Sequence, residues 1–376
     1  MKVLYVTGAR IVEQEGRYYA DASFCAIIER YYAHFPDLTV VGKTCEKRES
    51  QHVKINSNIR IVQSGTTMDT LLKKNYKLLL NEVKSCSFLI VRVPSNLGDL
   101  AAKIAKKNCI KYMTEVVGCA WDALWYHSIK GKILAPFMHC QAKRTVKFAN
   151  YSLYVTQQFL QTKYPTLGLS VGVSDVSIEN ISQLVWSKRK EKIRLRSGEH
   201  LYLMTAAGVH VRYKGQQHVI RAIPLLNARG INVTYFVAGK GDQHYLKKIA
   251  KRYGVAEQVV FPGSLTREQI WEHLDKADIY IQPSLTEGLP RAVVEAMSRG
   301  CACLGTNVGG IPELIGPEML FKPKRHKEIV EKILLLNNNE YLEKIALQNL
   351  VKAEQFEQGI LEKERNTFMD VVKKDV

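Results

Sequence analysis

The chain has no run of about 18 uninterrupted apolar residues, which removes a membrane-spanning helix from expectation. It also lacks the long apolar region and small-residue cleavage site of a secretory signal, because MKVLYVTGARIVEQEG passes straight from a strand into charges. Its eight cysteines stand singly apart from Cys301 and Cys303, and no CxxC pair occurs. Free thiols in a reducing compartment fit that spacing better than disulfides or a zinc ribbon. The expectation is a cytoplasmic protein, with any membrane association at the inner face. Composition excludes disorder: of 376 residues, 46% are hydrophobic and 24% charged, enough apolar material for two cores.

Acidic residues are scarce, 36 against 54 basic ones, giving a net charge of +18. The imbalance is uneven. Residues 1–196 carry 30 Lys+Arg and 15 Asp+Glu, whereas residues 197–376 carry 24 and 21. The N-terminal half is therefore expected to face something anionic, either a phosphorylated acceptor or an anionic membrane surface reached by peripheral contact. A generally basic, soluble surface is the plain alternative. Nucleic acid is not expected as a partner, since no recognisable module interleaves basic and aromatic residues.

Apolar runs alternate with helical patterns along the whole chain. Strands are expected at Lys2–Val6, Leu38–Gly42, Phe88–Val93, Lys111–Val116, Tyr151–Val155 and Leu169–Val173. Helices are expected at Ala20–Phe35, Met68–Lys84 and Leu97–Asn108, with Gly8–Gly16 as a loop. Strands separated by helices indicate a parallel sheet covered on both faces. The basic stretch Trp186–His200 reads as a linker, after which the alternation restarts at Leu201–Ala206 and continues to helices Glu328–Asn337 and Glu340–Met369. The fold class is α/β, with two Rossmann-like, doubly wound domains facing each other across a ligand cleft. Their expected limits are 1–190 and 196–354, with a C-terminal helix at about 355–376 packing back on the first.

The most informative segment is ADIYIQPSLTEGLPRAVVEAMSRGCACLGTNVGGIPELI, Ala277–Ile315. It reads as strand, loop, helix, strand. Glu287 lies on the loop; Gly288, Leu289 and Pro290 open the helix; Glu295 lies within it, and Gly300 closes it. A helix N-terminus offers unpaired N–H groups and about half a positive charge, so it can hold phosphate. Val293, Val294 and Met297 share the apolar face, with Glu295 pointing away. Gly239-Lys240-Gly241 follows an apolar strand, and Lys214-Gly215 follows another, with Arg212 nearby. Singly these are tight turns and surface charges. Together they gather strand-end loops around an anion.

Residues 201–315 resemble the donor-binding domain of retaining glycosyltransferases of family 4, which have the two-domain GT-B fold. The resemblance is carried by Lys214-Gly215, Gly239-Lys240-Gly241, Val260-Phe261-Pro262-Gly263, Ala277-Asp278, Pro283-Ser284, Glu287-Gly288-Leu289-Pro290, Glu295-Ala296-Met297 and Gly309-Gly310-Ile311-Pro312-Glu313. It implies that Lys214 holds the donor diphosphate and that Glu287 lies against the donor sugar. It implies that backbone N–H groups from Gly288 to Arg291 meet sugar hydroxyls and phosphate, that Glu295 accepts from the ribose, and that Phe261 borders the base. Protein groups then neutralise the leaving diphosphate, so no metal and no cofactor is expected. The family's lysine is paired with an arginine five or six positions earlier. Here those positions are Gly208 and Val209, and Arg212 is the nearest cation.

The N-terminal half matches the family only in general pattern. Acceptor-side candidates are Gly16, at the end of the expected loop, and Glu115, Asp122 and His127 in EVVGCAWDALWYHS. Glu115 or Asp122 would take the acceptor's proton, and Trp121, Trp125 and Tyr126 would stack on a sugar. An aromatic packing motif is the alternative. The implied activity is transfer of a sugar from a nucleoside diphosphate sugar to a hydroxyl, with retained configuration, in polysaccharide or glycoconjugate synthesis. The acceptor is expected to be a lipid-linked or surface-glycan precursor. A catalytically impaired nucleotide-sugar-binding protein and a nucleotide-sugar epimerase of the same architecture are the competing readings.

Overall fold

Runs of valine, isoleucine and leucine bounded by polar turns build the strands of two separate sheets. The computed structural model describes residues 1–49, 52–66, 69, 74–126 and 129–376. These form two units, Met1–Val173 with Glu364–Val376, and Ser174–Lys363.

The first unit runs β1 (Val3–Gln14), β2 (Arg17–Asp21), α1 (Ala22–His34), β3 (Leu38–Cys45), β4 (His52–Lys54), β5 (Arg60–Gln63), α2 (Tyr76–Ser85), β6 (Phe88–Val93), α3 (Asn96–Lys107), β7 (Tyr112–Val116), α4 (Ala120–Trp125), α5 (Ile129–Lys147), β8 (Tyr151–Tyr154), α6 (Phe159–Lys163) and β9 (Leu169–Gly172). Its parallel strands lie in the order β5-β3-β1-β6-β7-β8-β9; β2 adds antiparallel to the far half of β1, and β4 antiparallel to β2. Both faces are buried. Leu4, Val6, Leu89 and Val91 pack with Leu97, Ala101 and Ile104 of α3, while Val3, Tyr5, Phe88 and Ile90 pack with Ile28 and Tyr31 of α1. That two-residue alternation is what a strand requires when helices cover both sides of the sheet.

The segment expected as a loop, Gly8–Gly16, is instead the second half of β1. Ile11 and Val12 are buried at 0% and 2% exposure, which draws the backbone into the sheet. The chain reverses only at Glu15 and Gly16, whose φ values of 52° and 67° match a two-residue hairpin turn. The expected helix Ala20–Phe35 accordingly starts later, at Ala22, because Arg17–Asp21 pairs as β2. The front of the expected helix Met68–Lys84 falls largely outside the described residues.

The second unit comprises α7 (Gln183–Leu195), β10 (His200–Ala206), α8 (Gln216–Asn227), β11 (Asn232–Ala238), α9 (His244–Arg252), β12 (Val259–Gly263), α10 (Arg267–Lys276), β13 (Ile279–Gln282), α11 (Arg291–Ser298), β14 (Ala302–Thr306), β15 (Leu320–Phe321), α12 (His326–Leu336) and α13 (Asn339–Glu354). Its six strands are all parallel in the order β12-β11-β10-β13-β14-β15. The order reverses between β10 and β13, the point at which open α/β sheets leave a crevice at their carboxyl ends. A last helix, α14 (Gln358–Asp375), starts in the second unit and ends in the first, where Phe368, Met369 and Val372 are core residues. The expected helix Glu340–Met369 is therefore two, α13 and α14.

The basic stretch at Trp186–His200 is no free linker. Most of it is α7, and its Arg189 is 4% exposed. The guanidinium donates to the carbonyls of Leu274 (2.8 Å) and Ala277 (2.6 Å) at the end of α10, and to Arg299 (2.9 Å) at the end of α11. A helix C-terminus carries partial negative charge and unpaired carbonyls, so a planar cation with several donors can be buried there. Lys192 pairs with Asp278 beside it. Charge density marked α7 as exposed; two helix ends supply the partners that bury it. This sets the start of the second unit near residue 174 rather than 196.

Candidate functional site

Four loops at the carboxyl ends of the second sheet interlock. The loop after β10 passes Lys214 and Gly215, and the Leu285 amide from the loop after β13 donates to the Tyr213 carbonyl at 2.7 Å. The loop after β11 joins through Val209, whose amide donates to the Lys240 carbonyl at 3.1 Å. Gly239 donates to Gly263 at 2.9 Å, and Gly241 faces the His210 ring so closely that a Cβ would lie 2.1 Å from Nδ1. From the loop after β14, Gly310 donates to the Gly288 carbonyl at 2.8 Å. Gly309, at φ +60°, lies where a Cβ would come within 2.0 Å of the Glu287 carbonyl. The Glu287 loop is thus held from both sides.

At the centre, three donors converge on one oxygen of Glu287. Lys214 Nζ reaches Oε1 at 2.6 Å, Ser284 Oγ at 2.7 Å and Gln282 Nε2 at 2.9 Å. Behind them, the Tyr280 hydroxyl donates to Gln282 Oε1 at 2.8 Å and accepts from the Ala206 amide at 3.3 Å. Gln282, Ser284 and Tyr280 are buried, so their bonds are obligatory rather than optional. The carboxylate keeps 11% of its side chain exposed, with Oε2 outside this set of bonds. A charge held this way is pre-oriented, which is what an active site needs from a residue that must meet a ligand.

Beside the carboxylate, α11 begins at Arg291 with Pro290 in the capping position and no side-chain cap. Arg291, its first residue, is exposed. One turn on, Glu295 is half-buried; burial pushes its carboxyl up, partly offset by Arg291 and Arg267. Leu289 packs against the core of the unit, and Phe261 does so from β12, the edge strand. Lys214, Glu287, Gly288, Leu289, Pro290, Gly239 and Gly241 are therefore brought together by the interlocked loops. Arg212 is not part of the Glu287 cluster. Its guanidinium lies over the Tyr245 ring of α9, 4.4 Å from the centroid.

The described acceptor-side candidates, Gly16, Glu115 and Asp122, lie in the first unit on three different elements. Glu115 is 3% exposed, and its Oε2 accepts from Arg92 Nη1 at 2.6 Å and from the Tyr5 hydroxyl at 2.8 Å. Burial raises its carboxyl, but Arg92, then Tyr5 and Arg30, outweigh this and hold it below the usual range. That suits a structural carboxylate better than a base. Gly16 is the exposed tip of the β1–β2 turn. Asp122 is half-buried on α4, where Trp121 and Trp125 stack on each other with centroids 5.1 Å apart. Trp121 also meets the edge of His139, so these rings pack mutually. His127 lies outside the described residues. Sequence reasoning missed Tyr280, Gln282 and Arg92. The signal for Gln282 was a polar residue closing the otherwise apolar strand IYIQ.

Two α/β units, the second all-parallel with its polar cluster on the carboxyl-end loops, make up the GT-B fold of sugar-transferring enzymes. The sequence profile of glycosyl transferases group 1 matches residues 187–353. Protein CapJ of Staphylococcus aureus is 32% identical over 364 residues, spanning 93% of this chain and 90% of that one. The chain belongs to the glycosyltransferase group 1 family. A putative teichuronic acid biosynthesis glycosyltransferase, TuaC of Bacillus subtilis, is 28% identical over 63% of this chain and 57% of its own length. Among solved structures, Anabaena HepE in complex with UDP superposes with a TM-score of 0.70 at 16% identity, covering 99% of this chain and 100% of that one. HepE has also been solved with UDP-glucose.

Proposed function

We propose that this glycosyltransferase uses a nucleoside diphosphate sugar, bound by the loops of the second unit, and transfers the sugar with retention to a hydroxyl acceptor held by the first. The observation that carries the reading is the convergence of Lys214, Ser284 and Gln282 on Glu287 Oε1 beside the start of α11. Lys214 would turn from Glu287 to the departing diphosphate, adding its charge to that of the helix N-terminus, so that no divalent metal is needed. Glu287, held by Ser284 and Gln282, would face the donor sugar. Glu295 would accept from the ribose, Phe261 would border the base, and the amides from Gly288 to Arg291 would meet the sugar and phosphate. Among the described residues no side chain stands out as a nucleophile, so front-face attack within the donor complex is the working mechanism. Trapping of a covalent glycosyl-protein would overturn it.

The UDP and UDP-glucose complexes of HepE support a nucleotide-sugar donor, and the teichuronic acid relative supports an acceptor in a surface-glycan pathway. A lipid-linked acceptor at an anionic inner membrane surface fits the basic N-terminal half. A second reading, a donor-binding protein of impaired activity, is favoured by Arg212, which stacks on Tyr245 where the family's arginine would reach phosphate. One experiment separates them. Thermal shifts with UDP-, GDP-, ADP- and TDP-sugars identify the donor, since a ligand at 100 times its Kd stabilises by about 2.7 kcal/mol. Slow hydrolysis of that donor, lost on Glu287→Ala, supports the enzyme. Stabilisation without hydrolysis or transfer supports the binding protein, and no shift at all removes both.

A further inference from the structure

The register of β10 with β13 pairs Leu203 and Met204 with Ile279 and Tyr280 and goes no further. Past that point, where the strand order reverses, side chains bridge the parting strands. Thr205 Oγ1 donates to the Ile281 carbonyl at 2.6 Å, and the Ala206 amide donates to the Tyr280 hydroxyl at 3.3 Å. The second of these bonds sets a direction. A backbone N–H can only donate, so the Tyr280 oxygen accepts there and its single proton goes to Gln282 Oε1, 2.8 Å away.

That proton fixes the Gln282 amide. With Oε1 receiving from Tyr280, Nε2 is the end turned to the loop, and its protons go to Glu287 Oε1 and Ser284 Oγ, each 2.9 Å away. Ser284 accepts one proton and has its own for Glu287 Oε1 at 2.7 Å. The reversed amide would set a carbonyl oxygen against a carboxylate oxygen and leave the Tyr280 proton without an acceptor. Tyr280 and Ser284 are 0% exposed and Gln282 2%, so water cannot repair such a fault. Burial pushes the Tyr280 hydroxyl far above the usual phenol range, opposed by the Ala206 amide and aided by Cys303, Glu287 and Glu295. Its proton therefore stays in place. With Lys214 added, Glu287 Oε1 receives three donors and has no room for a proton of its own. Oε2, outside these bonds, is the atom left for a ligand.

We propose that Tyr280 and Gln282 are positioning residues for the donor sugar. Through a one-way chain of hydrogen bonds begun by the Ala206 amide, they hold Glu287 as an acceptor whose Oε2 takes a hydroxyl or amide proton from that sugar. The proposal rests on the reading of Glu287 as the residue that faces the donor sugar. Both positioning residues are too deeply buried to touch the ligand and act through the carboxylate alone.

The test is a double-mutant cycle on the full chain with Tyr280→Phe, Gln282→Met and the pair. It is read as donor turnover and, separately, as affinity for the donor's nucleoside diphosphate without the sugar. Tyr280→Phe keeps the ring and removes one hydroxyl, so the amide is released to turn. Its turnover should fall about tenfold while nucleoside diphosphate affinity stays within about twofold of wild type. In the Gln282→Met background the same change should cost nothing further, because Tyr280 acts through the amide. Full turnover by Tyr280→Phe, or losses that multiply in the pair, overturns the proposal. So does an equal loss of nucleoside diphosphate affinity, the mark of a disturbed fold. Should the pair not fold, Tyr280→Phe alone still decides, by separating turnover from nucleotide affinity or failing to. Donor analogues with single hydroxyls replaced by fluorine, which cannot donate, test Oε2: one should bind the wild type more weakly, and equal affinity for all overturns the acceptor assignment. If the wild type turns over the donor and Tyr280→Phe matches it, only the positioning role falls. If the wild type neither binds nor turns over any donor, the functional reading falls and takes this proposal with it.

Discussion

Lys214 Nζ lies 2.6 Å from Glu287 Oε1, and two neutral donors, Ser284 and Gln282, share the same oxygen. The carboxylate therefore does not depend on the lysine to stay paired. Lys214→Ala should cost only about 1–2 kcal/mol of stability, read as a modest change in urea midpoint. Donor turnover should fall by about 10²–10³, the usual loss when one fixed donor to a developing charge is removed. A variant that unfolds, or one that turns over normally, contradicts this arrangement.

Gly309 separates two effects of glycine. At φ +60° any side chain is strained by about 1–2 kcal/mol, and here the new Cβ would also meet the Glu287 carbonyl at 2.0 Å. Gly254, at φ +70°, has nothing within 4 Å of its Cβ position. Gly254→Ala should therefore show the strain alone. Gly309→Ala should show strain, a displaced Glu287 loop and weakened donor binding, all detectable by parallel melts with and without donor.

Arg189 binds the carbonyl ends of α10 and α11 from inside the second unit. Arg189→Met should destabilise that unit by about 3 kcal/mol, since buried carbonyls lose charged donors. Arg189→Lys should rescue little, because one ammonium cannot span carbonyls on two helices. Denaturant unfolding followed through Trp271 reads the result.

The two units should respond to acid in opposite directions. In the second, burial and then Arg221, His326 and Lys324 push His218 down to about 4. Its unfolded form takes up a proton near pH 6.5, so stability is full above that value and falls by about 3 kcal/mol as pH drops to 4. In the first unit, burial raises Asp99 to about 7 despite its bond from Thr145. Its folded form holds the proton longer than the unfolded one, so this contribution is full below about pH 4 and is lost by about 4 kcal/mol as pH rises to 7. His218→Leu should flatten the acid loss in the second unit, and Asp99→Asn the alkaline loss in the first. Hydrogen exchange of each core between pH 4 and 7 tests both signs.

Legibility in the sequence followed how local the cause was. The Glu287 loop, Pro290 and Gly300 announce themselves within a dozen residues, and the strands of both sheets were readable from apolar runs. Arg189 was not, because its burial depends on carbonyls 85 and more residues away. Gly8–Gly16 looked like a loop because glycine and charges frame it; Ile11 and Val12 become decisive only once β3 and β2 lie alongside. Glu115 read as a base from its place at a strand end, and its partners Tyr5 and Arg92 come from other strands. Arg212 has a ring beside it that no spacing rule places there.

The first unit contains residues 368, 369 and 372 in its core, packed with residues near the N-terminus. During synthesis the ribosome must therefore deliver all of the second unit before the first can close. The intervening segment has every residue of its own sheet and can fold while the earlier strands still wait, reversing the usual N-to-C order of domain folding. Until α14 arrives, Tyr151 lacks the Phe368 ring that packs on it, so the nascent chain keeps that apolar face bare, and most in need of chaperone protection, until after the second unit has been made.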